Sequence, residues 1–549
     1  MTHSVFLALY GCHHRAARRG TGVLLAVVTL VALVALVALP GARAGGLFVP
    51  GTGTEAMGRA GAFVAKADDP SALHYNPAGL VLIDGTIIHL GSNFLRYSLT
   101  FDRSGVYEAP AGIDEPYEGN EYAAVTNQAS PNFGLGRFQS VPLLAAAFDL
   151  GRWIPGLHGG AGILAPNAYP GRDFGTYTLE APGVAPPPQR YDIVHQDAIV
   201  ILPSIAAAYT MNSKLSLGLR MSWGIARLEA TSYTWAIRNY QEWIGDDSEF
   251  VVEVTDRFVP GLALGALYRP VPDVVIGAAY TTRLAVAGRG TGRATLGHNS
   301  VTGDADVIAP LAPQNTPGCA AGGELGALQT CIDFVLPQTF ALGGRWILAR
   351  DRSGGELADI EFDAVWEDWS AGSNYQVIVD GQSQLTGFPL QTSIVRHGLQ
   401  DVLSVRLGGS YALPVGNPGN GGASGRPLVV RAGVAHDTAA APLTWQRVDV
   451  DGAARTTFAT GLSYRVSRYR IDLAGAIVVE PDRTVPSCEP DVGSEGCPPG
   501  SGQAAVTDRT APDPLQPLIA PSLQFQDPFN GGTYSSHYLM FSLGFTAYL

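Results

Sequence analysis

Past residue 44 the chain has no apolar run of about 18 residues, the length a membrane-spanning helix needs, so a helical membrane protein is excluded. Charge is scarce as well: 15% of residues are Asp, Glu, Lys or Arg against 46% hydrophobic, a balance that with 67 Gly suits a turn-rich all-β protein better than a helical enzyme. Cations are the scarcer sign, 35 against 48 acids, and the formal net charge of -13 argues against nucleic acid as a partner. There is no G-x-S-x-G, and the 11 histidines follow neither triad-like nor metal-like spacing, so nothing points to an enzyme, a metal or a cofactor.

Cysteine is nearly absent, with five in 549 residues. Cys12 falls in a leader, and the other four sit in two Gly/Pro-rich stretches, Cys319 with Cys331 and Cys488 with Cys497. Local pairing would make two disulfides, each worth about 2–4 kcal/mol and each implying an oxidising compartment. The leader has the features of a secretory signal peptide over 1–44. Arg15, Arg18 and Arg19 precede an apolar core from Val23 to Leu39, and Ala42-Arg43-Ala44 offers a cleavage site. A retained anchor is the alternative, since that core is short for a membrane span.

What is abundant is alternation. In "KLSLGLRMSWGI", Leu215, Leu217, Leu219, Met221, Trp223 and Ile225 point one way while Lys214, Ser216, Gly218, Arg220, Ser222 and Gly224 point the other. One face suits lipid and the other water. The closing "HYLMFSLGFTAYL" repeats the pattern, and an amphipathic final strand fits a barrel that closes on its first strand and leaves no open edge. Fourteen such segments are predicted, at 86–101, 141–150, 157–165, 197–210, 214–229, 256–268, 273–287, 335–349, 356–369, 401–413, 426–437, 455–466, 469–480 and 535–549. Turns of a few residues ("MNS", "RPVP", "VS") alternate with loops of tens of residues, as in an up-and-down transmembrane barrel and unlike a sandwich. The Gly-rich "PVGNPGNGGASGR" is the one turn longer than this scheme prefers. Alternation also sends Arg345, Asp359, Glu361, Asp363, Arg406 and Arg431 into the lumen, where opposite charges on neighbouring strands would pair as a ladder along the wall, a substrate or ion site being the alternative.

Residues 45–84 lack the alternation. Asp69-Pro70 suits a helix start, with Asp69 as the cap and "PSALHYN" as a single helical turn. A segment this short cannot bury a core of its own and must pack against something, and the barrel interior, 85–549, is the surface available. The run "GTEAMGRAGAFVAKADDPSALHYNPAGL" resembles the amino-terminal hatch of the FadL/TodX (OmpP1) family of outer-membrane transporters for hydrophobic compounds, with the Asn-Pro-Ala triplet at Asn76, Pro77 and Ala78. The likeness continues more weakly through "HGGAGILAPNAYPGRDFG", "LPQTFALGGRW" and the closing strand, although the chain ends in Leu549 where such barrels usually end in an aromatic.

The resemblance implies a 14-stranded barrel in the outer membrane of a Gram-negative cell, monomeric and plugged by its hatch. It implies passive uptake of a hydrophobic small molecule, a long-chain fatty acid or an aromatic or aliphatic hydrocarbon, which leaves sideways into membrane lipid through a gap at the third strand. Pro166 and Asn167 mark that gap, because a proline cannot donate to the ladder; the alternative is that Pro166 merely ends the strand. Leu47, Phe48, Val49, Met57, Phe63 and Leu73 are candidate ligand contacts, although packing against the wall accounts for each equally well; if the ligand is a fatty acid, Arg227 is a candidate partner for its carboxylate, with surface decoration as the alternative. A general porin, or a structural or adhesive barrel with disulfide-tied loops, is the competing reading.

Overall fold

The computed structural model describes residues 46–107, 116–175, 185–234, 247–298, 305–310, 319, 327–352, 354–383, 393–414, 427–485 and 529–549. The expected signal peptide, Gly45, the long Gly-rich turn, Cys488 and Cys497 lie outside the described residues.

Fourteen antiparallel strands close into a barrel. They are β1 (Thr86–Arg103), β2 (Phe138–Asp149), β3 (Leu157–Leu164), β4 (His195–Thr210), β5 (Leu215–Thr234), β6 (Ser248–Val271), β7 (Val274–Thr281 and Leu284–His298), β8 (Leu328–Leu336 and Thr339–Arg350), β9 (Glu356–Glu367 and Asn374–Val379), β10 (Ser393–Arg396 and Val402–Pro414), β11 (Pro427–Asp437), β12 (Arg455–Val466), β13 (Tyr469–Val479) and β14 (Gly532–Tyr548). Each pairs with its neighbours in sequence, and β1 meets β14 from Ile87↔Tyr548 to Arg103↔Gly532, which removes the last open edge. On β5 the outward Leu217, Leu219, Met221, Trp223 and Ile225 are exposed, while the inward Ser216, Arg220 and Ser222 are buried. Exposed Tyr209, Tyr268, Tyr464 and Tyr469 ring the short-turn end, where an aromatic girdle meets the membrane interface.

At their other end β5 to β10 run five to eleven residues past their predicted limits. Two causes hid this extension. Outward faces there carry paired charges, Arg227 with Glu253 (2.8 Å) and Arg289 with Asp333 (2.6 Å), so apolar alternation is lost. The ladders also break at Thr282–Arg283, at Pro337–Gln338, at the 3-10 turn Trp369–Gly372 and at His397–Asp401. Side chains bridge the breaks: Arg283 Nε donates to Asp368 (2.8 Å), and so does Gln338 (2.7 Å).

The segment from Gly46 to Asp84 fills the lumen. It forms two single-turn helices, α1 (Thr54–Met57) and α2 (Ala72–Tyr75), and a 3-10 helix, Pro77–Leu82. The helix expected to be capped by Asp69 starts two residues later, with Ser71 in the cap position and no side-chain cap bond. Asp69 Oδ1 accepts from the Ser71 N–H (2.8 Å), so that carboxylate closes a turn instead. Proline does open a helix here, but it is Pro77, and Asn76 caps it by accepting the Ala78 N–H (3.1 Å).

Candidate functional site

The wall admits this plug because it has little side chain where the two meet. Inward glycines stand at the contact level on β5, β6, β7, β8, β10 and β11, as Gly218, Gly265, Gly277, Gly343, Gly408 and Gly433. A methyl at Gly218 would lie 2.2 Å from the Ala78 nitrogen, and one at Gly433 2.2 Å from the Arg59 carbonyl carbon. Both obstacles are backbone and cannot swing aside. On β9 the position paired with Gly343 is Asp363, whose carboxylate accepts the Phe63 and Val64 N–H groups (2.7 and 3.0 Å).

Charge fixes the plug to one arc of the ring. Arg59 donates to Asp359 (2.7 Å), Glu361 (3.1 Å) and Ser410 (2.5 Å), while the other oxygen of Glu361 accepts the Ala65 and Lys66 N–H groups (2.6 and 3.2 Å). Glu55 meets Arg431 (2.9 Å) and Arg470 (3.0 Å). Burial alone would raise the Glu55 carboxyl, but Arg431 and Arg470 hold it well below the usual range. Of the expected wall ladder, Arg345 does pair with Asp359 on the next strand (2.6 Å), yet most of these lumen charges turn to the plug. Arg59 and Glu55 were not singled out in the sequence, because their main partners lie hundreds of residues away. Burial, with Arg220 and Arg406 nearby, pushes the His74 imidazole down to about 3, so the plug carries it neutral.

Asn76, Pro77 and Ala78 are fully or nearly fully buried where the plug meets β5 and β6. Asn76 Nδ2 donates both to Val64 O within the plug (2.9 Å) and to Ala266 O on β6 (3.0 Å), so one side chain ties the motif to itself and to the wall. Arg220 adds a second tie by donating to Leu73 O (2.7 Å).

Pro166 sits two residues beyond the end of β3, and the chain there turns inward to the plug. Phe48 bridges Ala168, the Val49 N–H donates to Asn167 O (2.7 Å), and Asn167 Nδ2 donates to Val49 O (2.8 Å). Asn93 on β1 in turn donates to Asn167 Oδ1 (3.0 Å). Because β3 is short, it covers only Leu144–Asp149 of β2 and Leu202–Tyr209 of β4. Among the described residues no strand pairs with Val141–Leu143 or with Asp197–Ile201 on the β3 side. A window in the hydrogen bonding results.

Behind the window lies a cavity of about 570 Å³, within the range of small-molecule sites. Ala165, Pro166 and Ala168 border it, with residues from both faces of β4, inward Ala198 and Val200 and outward Ile199 and Ile201. Leu47 and Phe48 line it. Val49, Met57, Phe63 and Leu73 do not, being buried in the clusters that pack the plug against the wall. Arg227 reaches the cavity edge, but its half-exposed guanidinium is taken by Glu253 and Glu229. At the polar end Arg447 is held between Asp192 (2.5 Å) and Asp449 (3.1 Å), and His397 closes on Asp449 (2.7 Å). Burial raises the Asp192 carboxyl; it would raise Asp449 too, but Arg447 and His397 hold that group well down. Half-buried Arg396 also lines this end, and among the described residues no carboxylate pairs with it. Cys319 and Cys331 form a disulfide that ties a loop residue to β8.

A family model described as outer membrane protein transport protein (OMPP1/FadL/TodX) matches residues 34–496. Among solved structures the fold is similar to a Pseudomonas aeruginosa FadL homologue, with TM-score 0.63 and 16% identity over 92% of this chain and 99% of that one. It is also similar to the P. putida toluene transporter TodX (0.55, 15%, 91% and 99%) and the Ralstonia pickettii toluene transporter TbuX (0.53, 16%, 91% and 98%). No curated protein matches.

Proposed function

The chain belongs to the OmpP1/FadL/TodX family of outer-membrane transporters for hydrophobic compounds, and from that premise we propose that it takes up an amphiphile with a long apolar tail and an anionic head, by passive diffusion. The ligand enters from the cell exterior, lodges in the cavity above the hatch and leaves through the window beside β3 into the outer leaflet. The chain acts as a channel and not as an enzyme. The observation that carries the route is the cavity itself, bordered by the kink at Ala165–Ala168 and by both faces of β4. An apolar exit into lipid spares the ligand about 0.8 kcal/mol for each CH₂ that a watery channel would expose.

The head group is read from Arg396. The other cations at the cavity are paired: Arg447 with Asp192 and Asp449, and Arg227 with Glu253 and Glu229. A charge-assisted hydrogen bond contributes about 1.5–3 kcal/mol, so Arg396→Ala is expected to weaken binding of a long-chain fatty acid by roughly tenfold to a hundredfold. Binding of an alkane of equal length should not change. Calorimetry on detergent-purified protein tests this, and equal losses for acid and alkane would reject the anionic head.

The hatch motif gates the route. Asn76→Ala removes two donated bonds and one accepted bond in a fully buried setting, a loss of about 1–3 kcal/mol. This variant and Pro77→Ala are expected to change uptake in proteoliposomes while the barrel still shows heat-modifiable migration. Loss of that migration would make the motif a structural element only.

A further inference from the structure

The window beside β3 is crossed on its outer side by a strap, residues 129–137. The strap is fastened to β2 by a tight reversal: Gly134 and Leu135 pair with Gln139 and Phe138, and the Ser140 N–H donates to Phe133 O (3.0 Å). Tyr169, just past the kink, clamps both ends of the strap, its hydroxyl lying within hydrogen-bond reach of Ala129 O (3.0 Å) and Arg137 O (3.1 Å). The far side is held by one bond, from Asn132 Nδ2 to Asp197 Oδ2 on β4 (2.8 Å). That bond joins the strap to the β4 edge that β3 leaves unpaired. Directly beside it Phe133 lines the cavity, and Phe133 and Leu135 are both exposed.

We propose that this strap is the outer latch of the lateral exit, with Asn132–Asp197 as its catch and Phe133 as the apolar surface over which the ligand slides. The inference rests on the sideways route proposed above. Fastening is unequal: two backbone pairings hold the β2 side, Tyr169 ties the strap's ends to the chain leaving β3, and one exposed side-chain bond holds the β4 side. Opening therefore swings the strap about β2 and widens the window without breaking any wall ladder.

The test introduces Asn132→Cys with Asp197→Cys in a chain carrying Cys488→Ser and Cys497→Ser, and bridges the new thiols with dibromobimane, which fluoresces once both have reacted. Palmitate uptake is measured in proteoliposomes. Bridged channels are expected to lose at least tenfold in uptake rate while still binding palmitate, and Asn132→Ala is expected to match or exceed the parent. Wild-type uptake through bridged channels overturns the strap as a latch. Ala165→Trp, which places an indole in the window itself, separates the two ideas. If it abolishes uptake while bridged channels work normally, the strap is rejected and the sideways route stands. If both work normally, the route is rejected as well.

Discussion

Gly265→Val is expected to unseat the hatch from a barrel that still assembles. The first added carbon would lie 2.1 Å from Asn76 Oδ1, 2.8 Å from the Ala78 nitrogen and 2.9 Å from Pro77 Cδ, and a branched side chain adds two more methyls in the same place. Overpacking of this kind costs about 1–3 kcal/mol even where neighbours can shift. Here the neighbours are the Asn76 amide oxygen, the Ala78 backbone nitrogen and the Pro77 ring, and moving them also breaks the bond from Asn76 to Ala266. Because the substituted position faces the lumen, the outward face and the β6 ladders are untouched. Planar-bilayer recording should therefore show an ion conductance well above that of the parent, in protein that migrates normally before and after heating. A conductance equal to the parent's would mean that the hatch is not held by this contact.

The second large effect is expected from Glu361→Ala. One oxygen of this buried carboxylate pairs with Arg59, and the other accepts two consecutive backbone N–H groups of the hatch. Truncation leaves both N–H groups without an acceptor and Arg59 with Asp359 as its remaining acid. Breaking a buried pair from one side typically costs about 3–5 kcal/mol. The loss falls on hatch docking and not on the wall, since the β8–β9 and β9–β10 ladders run through backbone atoms. Limited proteolysis read by mass spectrometry should cut the hatch of the variant and spare that of the parent. Glu361→Gln, which keeps an acceptor for the N–H groups, should lie between them. Equal protection in all three would contradict the anchoring role.

Much of the wall was legible because lipid imposes a strict rule on the outward face. β12 matches its predicted limits and β13 falls short of them by one residue, each with apolar residues outside and small or polar ones inside. The rule lapses above the membrane, and there the reading stopped short: β6 begins at Ser248 rather than 256, since Val252 and Val254 face inward there while Glu253 faces out, the reverse of the lipid-facing pattern. The inward charges were legible by phase alone, but not their use. Asp359 and Arg59 are 300 residues apart, and no local pattern joins them. The inward glycines were the missed signal. "LGL", "LGA", "IGA", "LGG" and "AGV" each place a glycine on the lumen face of a separate strand, and a row of vacancies on many strands implies a body pressed against them. The cavity was beyond reach, since strands, the kink and loops from both halves of the chain converge on it.

The contact between Thr54 and Ser542 has a consequence for biogenesis. The two side chains meet at 2.7 Å although 488 residues separate them, and Ser542 lies on the last strand. The hatch leaves the ribosome before the barrel strands, while this part of its seat follows 488 residues later. A chain this non-local closes slowly, because the entropy of joining distant ends is spent before the contacts form. The hatch must therefore be carried unseated, with Arg59 and Glu55 still hydrated, until the β1–β14 seam zips around it. Accessory factors that guide such barrels into the membrane would meet a precursor whose amino terminus is still open to proteases and whose seam is not yet joined.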